Sequence, residues 1–376
     1  MIPFNKPYLT GKEAHYLYQA VYSGHISGNG TYTKRCQSFF EERWGFKKTL
    51  LTTSCTDALE MCAILLNIQS GDEIIMPSYT FVSTALAFIR QGARIVFADS
   101  RLDHPGIDEN KIEALITKKT KAIVTVHYAG VACDMDKIMT LANKYSLYVV
   151  EDAAQAIASY YKGKPLGSIG HLGCFSFHET KNIQCGEGGL LAINDDQFIK
   201  RAEIIWEKGT NRAEFFRGEV NKYSWVDTGS SFLPSELNAS FLFAQLENIE
   251  SIQNRRKEIW QIYFEGLKHL SDKHHIFGPH LPQSATNNGH MFYLLCNDAQ
   301  ERSDLIAYLK NHKVHAVFHY LSLHSSNYYA KKHDGRKLPN SDRYTDCLLR
   351  LPFHLHLSNT DLKEIIQTIT TFFNEK

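Results

Sequence analysis

Apolar positions along the chain follow two spacings. Leu59, Cys62, Ala63 and Leu66 recur at i, i+3, i+4 and i+7, and Leu362, Ile365, Ile366, Ile369 and Phe373 repeat the stripe near the end; both predict one buried helix face. Short continuous apolar runs predict strands at 73–76, 94–98, 122–127, 148–151, 174–177 and 190–193. Helical segments are expected between them at about 80–91, 108–118 and 134–145. Strands alternating with helices imply an α/β fold with a mostly parallel sheet covered on both faces, and ligands in such folds sit at the carboxyl ends of the strands.

Before this run, residues 8–45 read as two helical stretches joined by a glycine-rich loop from Ser23 to Gly30. After it, 195–233 is mixed and polar. A helical pattern then runs from Pro234 to about Leu270, with proline near the start where a missing N–H does no harm. A loop-rich region at 271–289 precedes a strand at 291–295, a helix at 303–311 and an aromatic-histidine strand at 316–320. The expectation is two domains: a large α/β domain over 1–235, and a smaller C-terminal α+β domain over 236–376 entered through the long helix.

Composition narrows the function by exclusion. The 376 residues carry 41 basic and 40 acidic side chains, a net charge of +1, which gives no general attraction to nucleic acid or to a membrane surface. No apolar run reaches signal-peptide or membrane-span length. Eight cysteines lack paired metal spacing, and Cys62 and Cys174 sit in apolar runs, so a reducing, cytoplasmic setting is expected. The 18 histidines form no HExxH-like pattern, and no structural metal is expected.

The chemistry centres on residues 174–189, where an apolar strand leads into a loop carrying Lys181 and then the cluster Gly186-Glu187-Gly188-Gly189. A lysine withdrawn from water loses part of its charge preference and becomes a usable amine nucleophile. An enzyme built on pyridoxal phosphate needs such a lysine to hold the aldehyde as an imine. It also needs a carboxylate on the pyridine nitrogen, a helix N-terminus with hydroxyls for the phosphate, and an aromatic face for the ring. Lys181, Asp152, the Ser54-Cys55-Thr56 helix start with Ser176, and Phe81 supply that set.

Ordered motifs then resemble the DegT/DnrJ/EryC1/StrS aminotransferases: 51–59 (LTTSCTDAL), 76–84 (MPSYTFVST), 126–130 (VHYAG), 150–155 (VEDAAQ), Phe175-Ser176-Phe177, Glu179-Thr180-Lys181, 186–189 (GEGG) and 317–324 (VFHYLSLH). The resemblance covers nearly the whole chain and implies the fold type I architecture, pyridoxal 5'-phosphate as cofactor, and a homodimer with active sites at the interface. It makes Lys181 the catalytic residue and assigns Asp152 to the ring nitrogen, Gln155 to the ring's phenolic oxygen and Phe81 to stacking. Cys55, Thr56 and Ser176 would hold the phosphate. Tyr79, His319, Tyr320, His324 and the loop from Ser27 to Gly30 become candidate substrate contacts, while His178 is read as a supporting group.

Residues 174–181 and Gly229-Ser230-Ser231 are similar to members that aminate dTDP-4-keto-6-deoxyglucose with L-glutamate, giving dTDP-4-amino-4,6-dideoxygalactose and 2-oxoglutarate for enterobacterial common antigen or O-antigen. The C4 epimer and a 3-amino sugar stay open. Many relatives place an asparagine where this chain has Gly229-Ser230-Ser231, reaching a neighbouring subunit's phosphate. Relatives that dehydrate rather than transaminate carry histidine in place of the lysine, so Lys181 favours transamination. A cofactor-binding regulatory module is the reading from another class, and it finds no DNA-binding appendage here.

Overall fold

A computed structural model describes residues 1–375. At its centre lies a seven-stranded sheet built from β1 (Lys48–Thr52), β2 (Glu73–Pro77), β3 (Arg94–Ala98), β4 (Thr120–Val126), β5 (Tyr148–Asp152), β8 (Leu172–Ser176) and β9 (Gly189–Ile193). Two-residue strands β6 (Tyr160–Tyr161) and β7 (Lys164–Pro165) form a small hairpin between β5 and β8. The large sheet has the order β1-β9-β8-β5-β4-β2-β3. β3, β2, β4, β5 and β8 run parallel, β9 runs antiparallel to β8, and β1 antiparallel to β9. Ile75, Ile123, Val149 and Phe175 face one apolar cluster, while Ile74, Val124, Val150 and Cys174 face the other. Burial on both faces is why these strands read as unbroken apolar runs.

On one face lie α1 (Glu13–Tyr22), α2 (Thr31–Trp44), α5 (Met135–Tyr145) and α8 (Glu236–Leu246), with α1 and α2 packed on α8. On the other lie α3 (Cys55–Leu65), α4 (Val82–Ile89) and α6 (Ile199–Trp206); a short helix, α7 (Arg212–Phe216), follows α6. Gly30, the N-cap of α2, has no side chain to offer, and the buried Glu236 carboxylate accepts from the N–H groups of Gly30, Tyr32 and Thr33 instead.

A third apolar cluster gathers α9 (Ile249–Leu267), α10 (His269–His274), α11 (Ala299–Asn311) and α13 (Asn359–Asn374) around a three-stranded antiparallel sheet. Its strands are β10 (Tyr293–Leu295), β12 (Leu348–Arg350) and β11 (Val317–Phe318), in the order β10-β12-β11. One further helix, α12 (Pro339–Cys347), is capped by the Asp99 carboxylate at the end of β3, which accepts from the backbone N–H groups of Asn340 and Ser341. No helix among the described residues is long and apolar enough to cross a membrane.

Four departures from the sequence expectation have local causes. Residues 108–118 form only two 3-10 turns, Glu109–Lys111 and Glu113–Leu115; Ile112 is the one fully buried apolar side chain there, too little packing to carry a helix. The pattern from Pro234 to Leu270 breaks at Glu247-Asn248, where the Asn248 amide donates to the Ala244 carbonyl. The strand expected at 316–320 stops at Phe318, and Tyr320 turns into the left-handed region at φ 46°. β1, α12 and β12 have no counterpart among the elements the sequence predicts.

Candidate active site

β2, β4, β5 and β8 all deliver their carboxyl ends to one cavity of about 760 Å³. It is lined by Cys55 and Thr56 of α3, Phe81 before α4, Asp152 at the end of β5, Gln155 after it, Ser176, Lys181, and His319-Tyr320. The chain thus brings together every sequence-predicted cofactor residue and two of the four named substrate candidates.

Lys181 lies on the loop after β8, its backbone N–H bonded to the His178 carbonyl. Its ammonium makes no hydrogen bond or ion pair with the described residues. Burial pushes its pKa down, partly opposed by the charges of Cys55 and Asp152. Asp152 is buried, and burial pushes its carboxyl up; the Thr84 hydroxyl at 2.7 Å and the Ala154 N–H at 3.2 Å pull the other way. Gln155 is fixed from both ends, its Oε1 accepting from Ala129 N–H at 2.6 Å and its Nε2 donating to the Tyr320 hydroxyl at 3.0 Å.

The helix start is shaped for an anion. Ser54 caps α3 through Asp57 N–H, so the N–H groups of Cys55 and Thr56 remain free at the positive end of the helix. Gly189 must be glycine, because a Cβ there would lie 2.4 Å from Cys55 N. Phe81 is 55% exposed and holds its ring over the cavity mouth, 6.0 Å from that of Tyr320. A buried free amine, a buried carboxylate, a free helix N-terminus and an open aromatic face match the aldehyde, pyridine nitrogen, phosphate and ring of pyridoxal phosphate.

Two candidates lie elsewhere. Tyr79 is fully buried below the cavity in a cluster with Tyr128 and Tyr344, its hydroxyl spent on the His319 carbonyl. It supports the His319-Tyr320 turn from behind. His324 bonds Ser78 Oγ at 2.8 Å and faces Asp342 at 3.4 Å, outside the cavity lining. The glycine loop also sits apart: Ser27, Gly28 and Asn29 line a second cavity of about 800 Å³ with Ser231 and Arg212.

Sequence reasoning missed Arg350 and His290, both of which line the lysine cavity. Arg350, at the end of β12, has no carboxylate partner among the described residues, and its Nε is buried without a hydrogen bond. One arginine inside the apolar run 347–352 was the available signal. His290 follows the turn at Gly289 and bonds Asn182 Oδ1 at 2.8 Å through Nδ1. Burial holds the His290 and His319 imidazoles neutral. No group of three or more metal-ligating side chains occurs among the described residues.

Comparison with known proteins gives this geometry its class. The model of the DegT/DnrJ/EryC1/StrS aminotransferase family matches residues 7–370, and the chain belongs to that family. The spore coat polysaccharide biosynthesis protein SpsC of Bacillus subtilis is 30% identical over 377 residues, covering 98% of this chain and 96% of its own. Spr1654 of Streptococcus pneumoniae, 26% identical, superposes with a TM-score of 0.92 in its PMP form over 100% of both chains. S. venezuelae DesV, solved with a ketimine intermediate, is 27% identical with a TM-score of 0.90, over 99% of this chain and 98% of its own. The protein is a sugar aminotransferase of fold type I, and its cofactor is pyridoxal phosphate.

Proposed function

We propose that this enzyme moves the amino group of L-glutamate to C4 of dTDP-4-keto-6-deoxyglucose, giving dTDP-4-amino-4,6-dideoxygalactose and 2-oxoglutarate. The observation that carries the reading is a free, buried Lys181 in the same cavity as an unpaired Arg350 guanidinium. The arginine offers a counter-charge to the carboxylate of an amino acid donor. The volume of about 760 Å³ accommodates cofactor and sugar together.

In this reading Cys55 and Thr56 N–H groups and the Ser176 hydroxyl hold the phosphate. Phe81 covers the ring, and Asp152 and Gln155 fix its two polar edges. When bound, the cofactor supplies a protonated ring that accepts the electron pair left as a carbon–hydrogen bond breaks. Lys181 takes the proton from the α-carbon of glutamate and later delivers one to C4 of the sugar, while Arg350 keeps the donor in register with it. The lowered lysine pKa supports this duty, since a proton carrier works best near the operating pH.

The reading includes a homodimer. Phe216, Tyr223 and Trp225, the last 81% exposed, project from the segment that leads to Gly229-Ser230-Ser231. Asn29 ties the glycine loop to Glu207, which bridges Ser231. Both loops are therefore held together, away from their own lysine, where a second copy's cavity can meet them.

The test is an assay with pyridoxal phosphate, L-glutamate and dTDP-4-keto-6-deoxyglucose, reading the C4 configuration from proton couplings. An axial amine is expected. An equatorial amine would move the product to the gluco epimer, and absence of product with cofactor bound would assign a different keto sugar.

A further inference from the structure

Beside Asp152, two buried hydroxyls, Thr80 at the cavity wall and Thr84 behind it, form a chain that the cofactor reading does not use. Thr84 lies in the first turn of α4, three residues after Phe81, and is fully buried. Its Oγ1 donates to Asp152 Oδ2 at 2.7 Å, and Thr80 Oγ1 lies 2.8 Å from Thr84 Oγ1. A hydroxyl has one proton, so the direction is fixed: Thr80 donates to Thr84, and Thr84 to the carboxylate. Asp152 Oδ1 takes the Ala154 N–H, which leaves each carboxylate oxygen one protein donor and a free lone pair toward the cavity.

We propose that Thr84 is a positioning residue for the cofactor's ring nitrogen, acting through Asp152 by holding its carboxylate ionised and in one orientation. The proposal rests on the assignment of Asp152 to that nitrogen. A neutral carboxylic acid would present its own proton to the ring and lose the charge that keeps the nitrogen protonated. The titratable groups that interact electrostatically with Asp152 are Lys181, His127, Cys55, Cys174 and Tyr320. Against the burial of the carboxylate, Thr84 supplies the shortest hydrogen bond it receives. The pairing also couples two halves of the ring clamp, because α4 begins at Phe81 and β5 ends at Asp152.

The test uses Thr84→Val, which keeps the shape and removes the donor, and Thr84→Ser, which keeps the donor and removes a methyl. Carbon-13 NMR of the Asp152 carboxyl in the apoprotein reads the effect without cofactor or turnover. Thr84→Val is expected to raise the carboxyl titration by about one pH unit or more, the usual effect of losing a hydrogen bond to a charged group. Thr84→Ser is expected to restore it. In the holoenzyme, the valine variant should shift the visible absorbance of the cofactor with pH and lower kcat about 10-fold, with KM for glutamate unchanged.

A folded valine variant that titrates like the wild type would overturn the proposal, as would a serine variant that shifts as far as valine. Full turnover and an unchanged cofactor spectrum in Asp152→Asn would overturn it by a different route. That result removes the role of Asp152 while leaving the Thr84 effect on its carboxyl in place, so the two failures are distinguishable.

Discussion

Asn182 fixes the tautomer of His290. Both protons of the Asn182 amide are committed, to Gln253 Oε1 and to the Asn288 carbonyl, each at 2.9 Å, so its oxygen must accept from His290 Nδ1–H at 2.8 Å. The neutral imidazole therefore turns an acceptor, Nε2, toward the cavity that Lys181, the residue before Asn182, also lines.

Replacing that amide by a carboxylate tests the arrangement. Asn182→Asp places a negative charge on the Nδ1 proton and raises the His290 pKa. Nitrogen-15 NMR at pH 7 is expected to show a neutral His290 in the wild type and a protonated one in the variant. A charged imidazole beside Lys181 would in turn depress the lysine further and displace the acid limb of the pH–rate profile downward. An unchanged neutral ring in the variant would contradict the hydrogen-bond assignment.

Lys181→Ala removes the only amine that lines the cavity among the described residues. The variant is expected to lose turnover and the visible absorbance of covalently held cofactor, by at least about 10³-fold in rate. Its far-UV circular dichroism should match the wild type, because the ammonium makes no bond that the fold needs. Residual activity near the wild-type level would remove the lysine from the chemistry.

How far the sequence anticipated this site depends on where each residue sits. Asp152, Ser176 and Lys181 follow strands buried on both faces, and such strands leave an unmistakable apolar run with a polar residue at its end. Phe81 and the α3 start were legible for the same reason. Arg350 and His290 were not: they belong to a three-residue strand and a turn, and their place in the cavity depends on how the three-stranded sheet packs against the large one. Tyr79 lies beneath the cavity because Pro77 ends β2, and the next side chains alternate between the cavity and the packed layer below it. Thr84 leaves no signal in sequence, since a threonine in the first turn of a helix reads as an ordinary helix start.

Arg350→Gln keeps much of the volume and removes the charge. If the guanidinium receives the donor's carboxylate, KM for glutamate should rise about 10- to 100-fold, the equivalent of one charge-assisted pair. KM for the keto sugar should change far less, because the two half-reactions are separable in steady-state kinetics. Equal losses for both substrates would assign Arg350 to the fold rather than to the donor, through its packing 4.7 Å over the Phe4 ring.

Acid stability is set partly by a histidine far from the chemistry. His104 is buried, and its Nδ1 accepts from Gly106 N–H at 3.0 Å, a bond available only to the neutral ring. Burial takes its pKa down to about 4, while the unfolded chain protonates near 6.5. The unfolded state therefore binds the proton first as pH falls. The stability His104 contributes is complete above pH ~6.5 and is lost progressively toward pH ~4, up to about 3 kcal/mol by linkage. Urea midpoints at pH 7.5 and pH 5 should fall with acidification in the wild type. His104→Gln, which does not titrate in this window but can still accept the Gly106 N–H, should show a shallower fall between the same two values. Parallel slopes in the two proteins would place the acid sensitivity elsewhere, His354 being the next buried imidazole held near pKa 4.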